Sequence, residues 1–129
     1  VAEQVLAFID RDRDGAISKN EAEAYAESLK RDLTLRVDEG DLELKLTASE
    51  FVAPEELRTG SGIIQMEFSA IFSPLNAGPH RLTHENRHLA TMSVYLINAA
   101  RPRFATIQIT GQQRNDNQSA GEIEFTFNP

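Results

Sequence analysis

Three aspartates at alternate positions and a closing glutamate give this chain its clearest chemistry. They lie in a twelve-residue span, Asp10-Arg11-Asp12-Arg13-Asp14-Gly15-Ala16-Ile17-Ser18-Lys19-Asn20-Glu21. Carboxylates occupy its first, third, fifth and twelfth positions, glycine the sixth and isoleucine the eighth. Such a loop suits calcium, a hard cation that takes about 6–8 oxygen ligands at about 2.3–2.6 Å. Asp10, Asp12 and Asp14 would each offer a carboxylate and Ala16 its backbone carbonyl. Ser18 would act directly or through a water, and Glu21 would bind with both oxygens. Gly15 falls where a sharp turn demands a backbone conformation that costs any residue with a Cβ. Arg11, Arg13 and Lys19 alternate with the ligands, so they should face solvent and trim the affinity slightly by repelling the cation.

Two helices must hold such a loop. Ahead of it, Ala2, Val5, Leu6 and Ile9 fall on one helical stripe, and after it Ala22, Tyr25, Ala26 and Leu29 repeat the spacing. Glu21, Ala22, Glu23, Ala24, Ala26, Glu27, Leu29 and Lys30 are good helix formers, so propensity supports the exit helix as well. An acidic turn ahead of a helix would account for the aspartates alone. It would not account for the glycine, the isoleucine, the terminal glutamate and both flanks together. The segment is identified as an EF-hand by its loop signature. Hands of that family usually come in pairs bridged near the eighth loop position, yet Asp38-Glu39-Gly40-Asp41 is too short to be a second loop. Ile17 is therefore expected to pair with another chain, to pack on the rest of this one, or to leave its backbone groups to water. A solitary hand points to a structural or moderate-affinity site rather than a paired opening-and-closing sensor.

Beyond Asp32 the hydrophobic period changes from helical to alternating. Leu33, Leu35 and Val37, then Leu42, Leu44 and Leu46, read as a hairpin around Asp38-Glu39-Gly40-Asp41. Ile64, Met66, Phe68, Ala70 and Phe72 form a longer alternating run, Leu82 centres a short one, and Met92, Val94 and Leu96 continue the pattern. Ala105, Ile107 and Ile109 follow, and Ile123, Phe125 and Phe127 close the chain. The turns between them are Thr59 to Gly62, Ser73 to Pro79, Arg101-Pro102 and Gly111 to Gly121. About seven or eight short strands at such intervals predict an antiparallel β-sandwich of immunoglobulin-like size. The expected fold is α+β: a helix–loop–helix over 1–32 leading into a sandwich over 33–129, joined at Lys30-Arg31-Asp32.

His80, His84 and His88 are spaced by four, which on a helix would gather imidazoles suited to nickel, copper or zinc. Pro79 and the polar neighbours of Leu82 favour a strand instead, on which His80 and His84 would lie about 13 Å apart at about 3.3 Å per residue. They are then expected as exposed polar side chains, able to titrate near neutral pH but under no demand to do so. No Gly-x-Ser-x-Gly elbow, phosphate loop or His-Glu-x-x-His is present, so the chain is expected not to be an enzyme. Gly60-Ser61-Gly62 lacks the lysine and helix of a phosphate cradle. Asn117-Gln118-Ser119 fits a glycosylation acceptor, which matters only in a source that performs that modification.

Composition narrows the remaining classes. A net charge of −7 and no tryptophan, with no basic stripe, argue against a nucleic-acid partner. The absence of cysteine removes disulfides, zinc–thiolate sites and thiol chemistry. At 129 residues the chain is long enough to bury a real core. No apolar run approaches the ~20 residues of a membrane span, and no stretch of these residues is expected to act as a signal peptide. The chain opens on Val1 and stops at Asn128-Pro129, and it is expected to be an excised piece with any export signal or anchor lying outside it.

The Ile-Asp-x-Asp-x-Asp-Gly loop and Glu-Ala-rich helix lead into Leu33-Thr34-Leu35-Arg36-Val37-Asp38. With Ser93-Val94-Tyr95-Leu96-Ile97-Asn98-Ala99 and Ile109-Thr110-Gly111-Gln112, these segments resemble the extracytoplasmic domain of bacterial nickel/cobalt permease and hydrogenase/urease accessory-type membrane proteins. The resemblance implies an exported, periplasmic or membrane-attached calcium-binding domain beside a membrane region outside this chain. Three roles follow as expectations: a mainly structural calcium domain of a transport or accessory protein, a calcium-responsive interaction module using the unpaired Ile17 edge, or a nickel/cobalt sensing or delivery domain using His80, His84 and His88.

Overall fold

The computed structural model describes all 129 residues. They form two compact units, one of Val1–Arg31 with Leu44–Ser69 and one of Asp32–Glu43 with Ala70–Pro129. Both combine helix or turn segments with antiparallel strand pairs, so the fold is mixed α and β as the sequence predicts. Leu44–Ser69 groups with the helices and not with the later strands.

In the first unit, helix α1 (Ala2–Ile9) and helix α2 (Lys19–Arg31) flank the acidic loop. Within the predicted stripes Leu6 and Ile9 on α1 and Tyr25 and Ala26 on α2 are buried and carry the core, while Ala2, Val5, Ala22 and Leu29 are half-buried. Ile9 is the largest fully enclosed side chain, at 1% exposure. Burying an isoleucine in this way is worth about 1.5–3 kcal/mol. Tyr25 is the hinge of the aromatic packing, meeting Phe8 and Phe51 edge-on, each at 6.1 Å between centroids. Short strands β3 (Lys45–Glu50) and β4 (Gln65–Ser69) pair antiparallel, with Leu46 opposite Phe68 and an irregularity between Leu46 and Ala48. Between them runs a helix that alternation does not reveal, α3 (Pro54–Arg58). It has proline at its start, Glu55 and Glu56 in its first turn and Arg58 in its last, the charge order that the helix dipole favours. Arg58 donates to Glu3 of α1 at 3.0 Å and to Glu55 at 2.7 Å.

The second unit is a five-stranded antiparallel sheet in the order β2-β1-β5-β7-β6. Its strands are β1 (Leu33–Val37), β2 (Gly40–Asp41), β5 (Gly78–Asn86), β6 (Ile107–Arg114) and β7 (Ala120–Phe127). Register explains its two faces. Val37 stands opposite Leu82, Leu82 opposite Ile123, and Phe125 opposite both His80 and Ile109, so these share the apolar face. Arg36, Arg81, Thr83, Glu122 and Glu124 occupy the other, charged face. Val37 and Phe125 are the buried residues of the apolar face.

Several sequence expectations change here. The predicted hairpin is cut short, because β2 holds only two residues and Leu46 pairs with Phe68 instead of β1. The run around Leu82 becomes a nine-residue strand at the middle of the sheet. Residues 92–99 alternate without joining a ladder, and their phase is reversed: Val94 is fully exposed and Leu96 is 76% exposed. Tyr95 and Ile97 are the half-buried members. Tyr95 donates to the His88 carbonyl at 2.9 Å, and Ile97 lies against Gly121. Ile97 to Ala99 thereby runs over Leu35, Leu82 and Ile123 with a cavity of about 220 Å³ between. No helix is long and apolar enough to cross a membrane.

Candidate metal centre

The acidic loop gathers its charges. Ligand oxygens of Asp10, Asp12, Asp14 and Glu21 all lie within 4.8 Å of one another, a set able to hold a metal ion. Backbone amides shape this arrangement. The Asp14 amide donates to both Asp10 Oδ1 at 3.2 Å and Asp12 Oδ1 at 3.1 Å. The Gly15 amide reaches Asp10 Oδ2 at 3.0 Å, and the Ala16 amide reaches Asp14 Oδ1 at 2.8 Å. Those bonds require the chain to double back, and Arg13 and Gly15 do so with φ of 59° and 82°. Glycine meets no left-handed penalty there, while Arg13 does.

Glu21 reaches into the loop from the first turn of α2 and is 9% exposed. Its Oε1 accepts the Arg11 amide at 2.9 Å and the Asp12 amide at 3.4 Å, and its Oε2 accepts the Ser18 amide at 2.9 Å. Ser18 Oγ in turn accepts the Glu21 amide at 3.2 Å. This Ser-x-x-Glu exchange is a capping box, satisfying donors at the helix start that have no partner within the helix. The glutamate at loop position twelve is thus also the reciprocal partner of Ser18, the residue that caps α2.

The electrostatics differ along the loop. The Ser18 amide is the main cause holding the Glu21 carboxyl below its ordinary value, assisted by the Asp12 and Arg11 amides against the opposing effect of burial. At Asp12 the largest single influence, the Asp14 amide, pulls downward, but burial, the Asp10 carboxyl and the charges of Asp14 and Glu21 together push it above the ordinary value. Like charges held this close disfavour one another, and a divalent cation among them relieves that repulsion. Ala16 and Ser18, the other expected ligands, lie on the same exposed stretch, and Ile17 between them is half-buried.

The three histidines are not brought together; each has its own oxygen partner. His80 Nδ1 lies 2.9 Å from Asp38 Oδ2, His84 Nδ1 lies 3.1 Å from the Thr34 carbonyl, and His88 Nδ1 lies 2.8 Å from Asp32 Oδ2. The expectation of exposed polar side chains at His80 and His84 is corrected accordingly, since both are half-buried, and His88 is buried. Sequence reasoning missed the two Asp–His pairs because their members stand 42 and 56 positions apart, and only the β1–β5 register joins them. Asn117-Gln118-Ser119 forms the tight turn between β6 and β7, with Asn117 Oδ1 accepting the Ser119 hydroxyl at 2.7 Å.

No family model, curated protein or solved structure matches this chain.

Proposed function

We propose that the chain is a non-enzymatic calcium-binding domain whose calcium is mainly structural. The ligands are the carboxylates of Asp10, Asp12, Asp14 and Glu21, the Ala16 carbonyl, and Ser18 directly or through a water. The observation that carries the reading is the convergence within 4.8 Å of the carboxylates of Asp10, Asp12 and Asp14, on the stretch between two helices, with that of Glu21 from the first turn of the second. An all-oxygen donor set with several carboxylates suits calcium over zinc or copper, which favour nitrogen and sulfur. The EF-hand architecture for residues 1–32 and the β-sandwich architecture for 33–129 belong to the same proposal. What supports the second is a sheet with one apolar face, which calls for a facing layer.

Bound calcium would join the end of α1 to the start of α2, and ligand that binds only the folded chain stabilises it by about 2.7 kcal/mol at a hundredfold excess over Kd. Location outside the cytoplasm, within a membrane transport or accessory protein, is part of the proposal and rests on the sequence resemblance. Extracellular calcium modules bind at about 0.1–1 mM, an affinity a solitary hand can meet.

Calorimetry with calcium on wild type and Glu21→Gln tests the site, with magnesium as the competing cation. Glutamine keeps the capping box while removing the charge, so the helix should survive and calcium binding should not. Equal binding by both proteins would reject the assignment.

A second reading, an interaction module whose assembly responds to calcium, is favoured by Val94, Leu96, Ile71 and Phe104, which are between 71% and 100% exposed. Sedimentation with calcium and with chelator separates the two, and a monomer in both conditions excludes calcium-driven self-association.

A further inference from the structure

His80 stands between two oxygens that only accept. Its Nδ1 is 2.9 Å from Asp38 Oδ2, and its Nε2 is 2.6 Å from the Asn76 backbone carbonyl. A carbonyl has no proton to give. Asp38 has none either: its Oδ1 accepts the Arg81 amide at 3.0 Å, and the His80 ring, then that amide, hold its carboxyl below the ordinary value. A neutral imidazole has one N–H and one lone pair, so it can satisfy one of these oxygens while turning a lone pair on the other. Only the imidazolium satisfies both.

We propose that protonated His80 is a clasp tying the loop before β5 to the turn between β1 and β2, and that losing its proton releases the loop. The charged acceptor is the stronger one, so a neutral His80 keeps Asp38 and abandons the Asn76 carbonyl. The groups around the ring support the charged form. From the β1–β2 turn come Asp38, in contact, and Glu39 nearby, and from β7 comes the Phe125 ring, its centroid 5.6 Å away on the same face, while Glu124 of β7 stands on the opposite face. Thr110 of β6 is neutral, and the neighbouring cation Arg81 is engaged with Glu122 and Glu124. The Asn76 carbonyl is the largest cause raising the ring's proton affinity, followed by Asp38, with burial opposing. Gly78, between the clasped carbonyl and the ring, has a φ of 118° that other residues rarely adopt, which places a conformationally permissive joint beside the clasp.

The direction follows from linkage. The folded chain binds this proton more tightly than the unfolded chain, so the clasp contributes fully below the ordinary 6.5 and is lost as pH rises through the higher folded value. Nitrogen-15 NMR of the wild-type imidazole across pH provides the test and needs no variant. Two protonated ring nitrogens and a midpoint above 6.5 are expected, with the Asn76 carbonyl and the Asn76, Ala77 and Gly78 amide resonances shifting at that midpoint. Asp38→Asn should move the midpoint down. A single neutral tautomer at pH below 6.5, or residues 76–78 indifferent to the ring's titration, would overturn the proposal. An unchanged midpoint in Asp38→Asn would remove Asp38 from it.

Discussion

Gly15→Ala separates the backbone requirement of the acidic loop from its charge. An added Cβ would meet nothing within 4 Å, so crowding contributes no penalty. What remains is the φ of 82°, a left-handed conformation costing an L-residue about 1–2 kcal/mol. At about 1.4 kcal/mol per tenfold, that corresponds to about a 5- to 30-fold loss if it falls wholly on calcium affinity. If the loop keeps the same turn without calcium, the cost falls on folding instead. Calorimetry with calcium and urea unfolding in chelator together capture both routes, and the losses should sum to that range. Gly15→Asn should lose less, because asparagine visits this conformation more readily. Losses that sum to less than about 0.5 kcal/mol, the ordinary scatter of surface substitutions, would refute the turn argument. Abolished binding with intact folding would refute it from the other side, since conformation alone cannot do so much.

Ile9→Ala empties the best-enclosed position of the first unit, at 1% exposure, and should cost about 2–5 kcal/mol in urea unfolding. His84 should give an acid-side slope in stability. Burial pushes its ring below the ordinary 6.5, outweighing the Thr34 carbonyl and Glu85, which raise it. The unfolded chain therefore binds this proton more tightly, and stability should rise as pH climbs toward 6.5. Replacing His84 with glutamine should flatten that slope in denaturation curves taken at a series of pH values.

Much of the first unit was legible because its signals are local. The spacing from Asp10 to Glu21 and the stripes through Leu6, Ile9, Tyr25 and Ala26 each lie within a few turns of chain, and the structure gathers the acidic side chains and buries those stripes. Helix α3 was missed although Pro54, Glu55, Glu56 and Arg58 carry start and stop signals, because five residues are too few to show a period. Alternation found β4 and β7 with the right side chains turned inward, but of β6 it found only Ile107 and Ile109: Ala105 lies outside the strand and Gly111 to Arg114, expected as turn, continue it. It failed at 92–99, where apolar residues occupy both phases, Val94 and Leu96 against Tyr95 and Ile97, and only the packing on Gly121 chooses between them. The histidine partners depend on strand register, which no local window contains.

The capping box gives Glu21 two employers. Its oxygens already accept three backbone amides, from Arg11, Asp12 and Ser18, while a cation in the loop would ask for the same lone pairs. Mutational drift at this position is therefore constrained twice over. Aspartate is too short to span from helix to loop, glutamine preserves the helix start but surrenders the charge, and alanine forfeits both. Selection acting on ion affinity and selection acting on chain stability meet at one side chain, so neither property can wander far without dragging the other along.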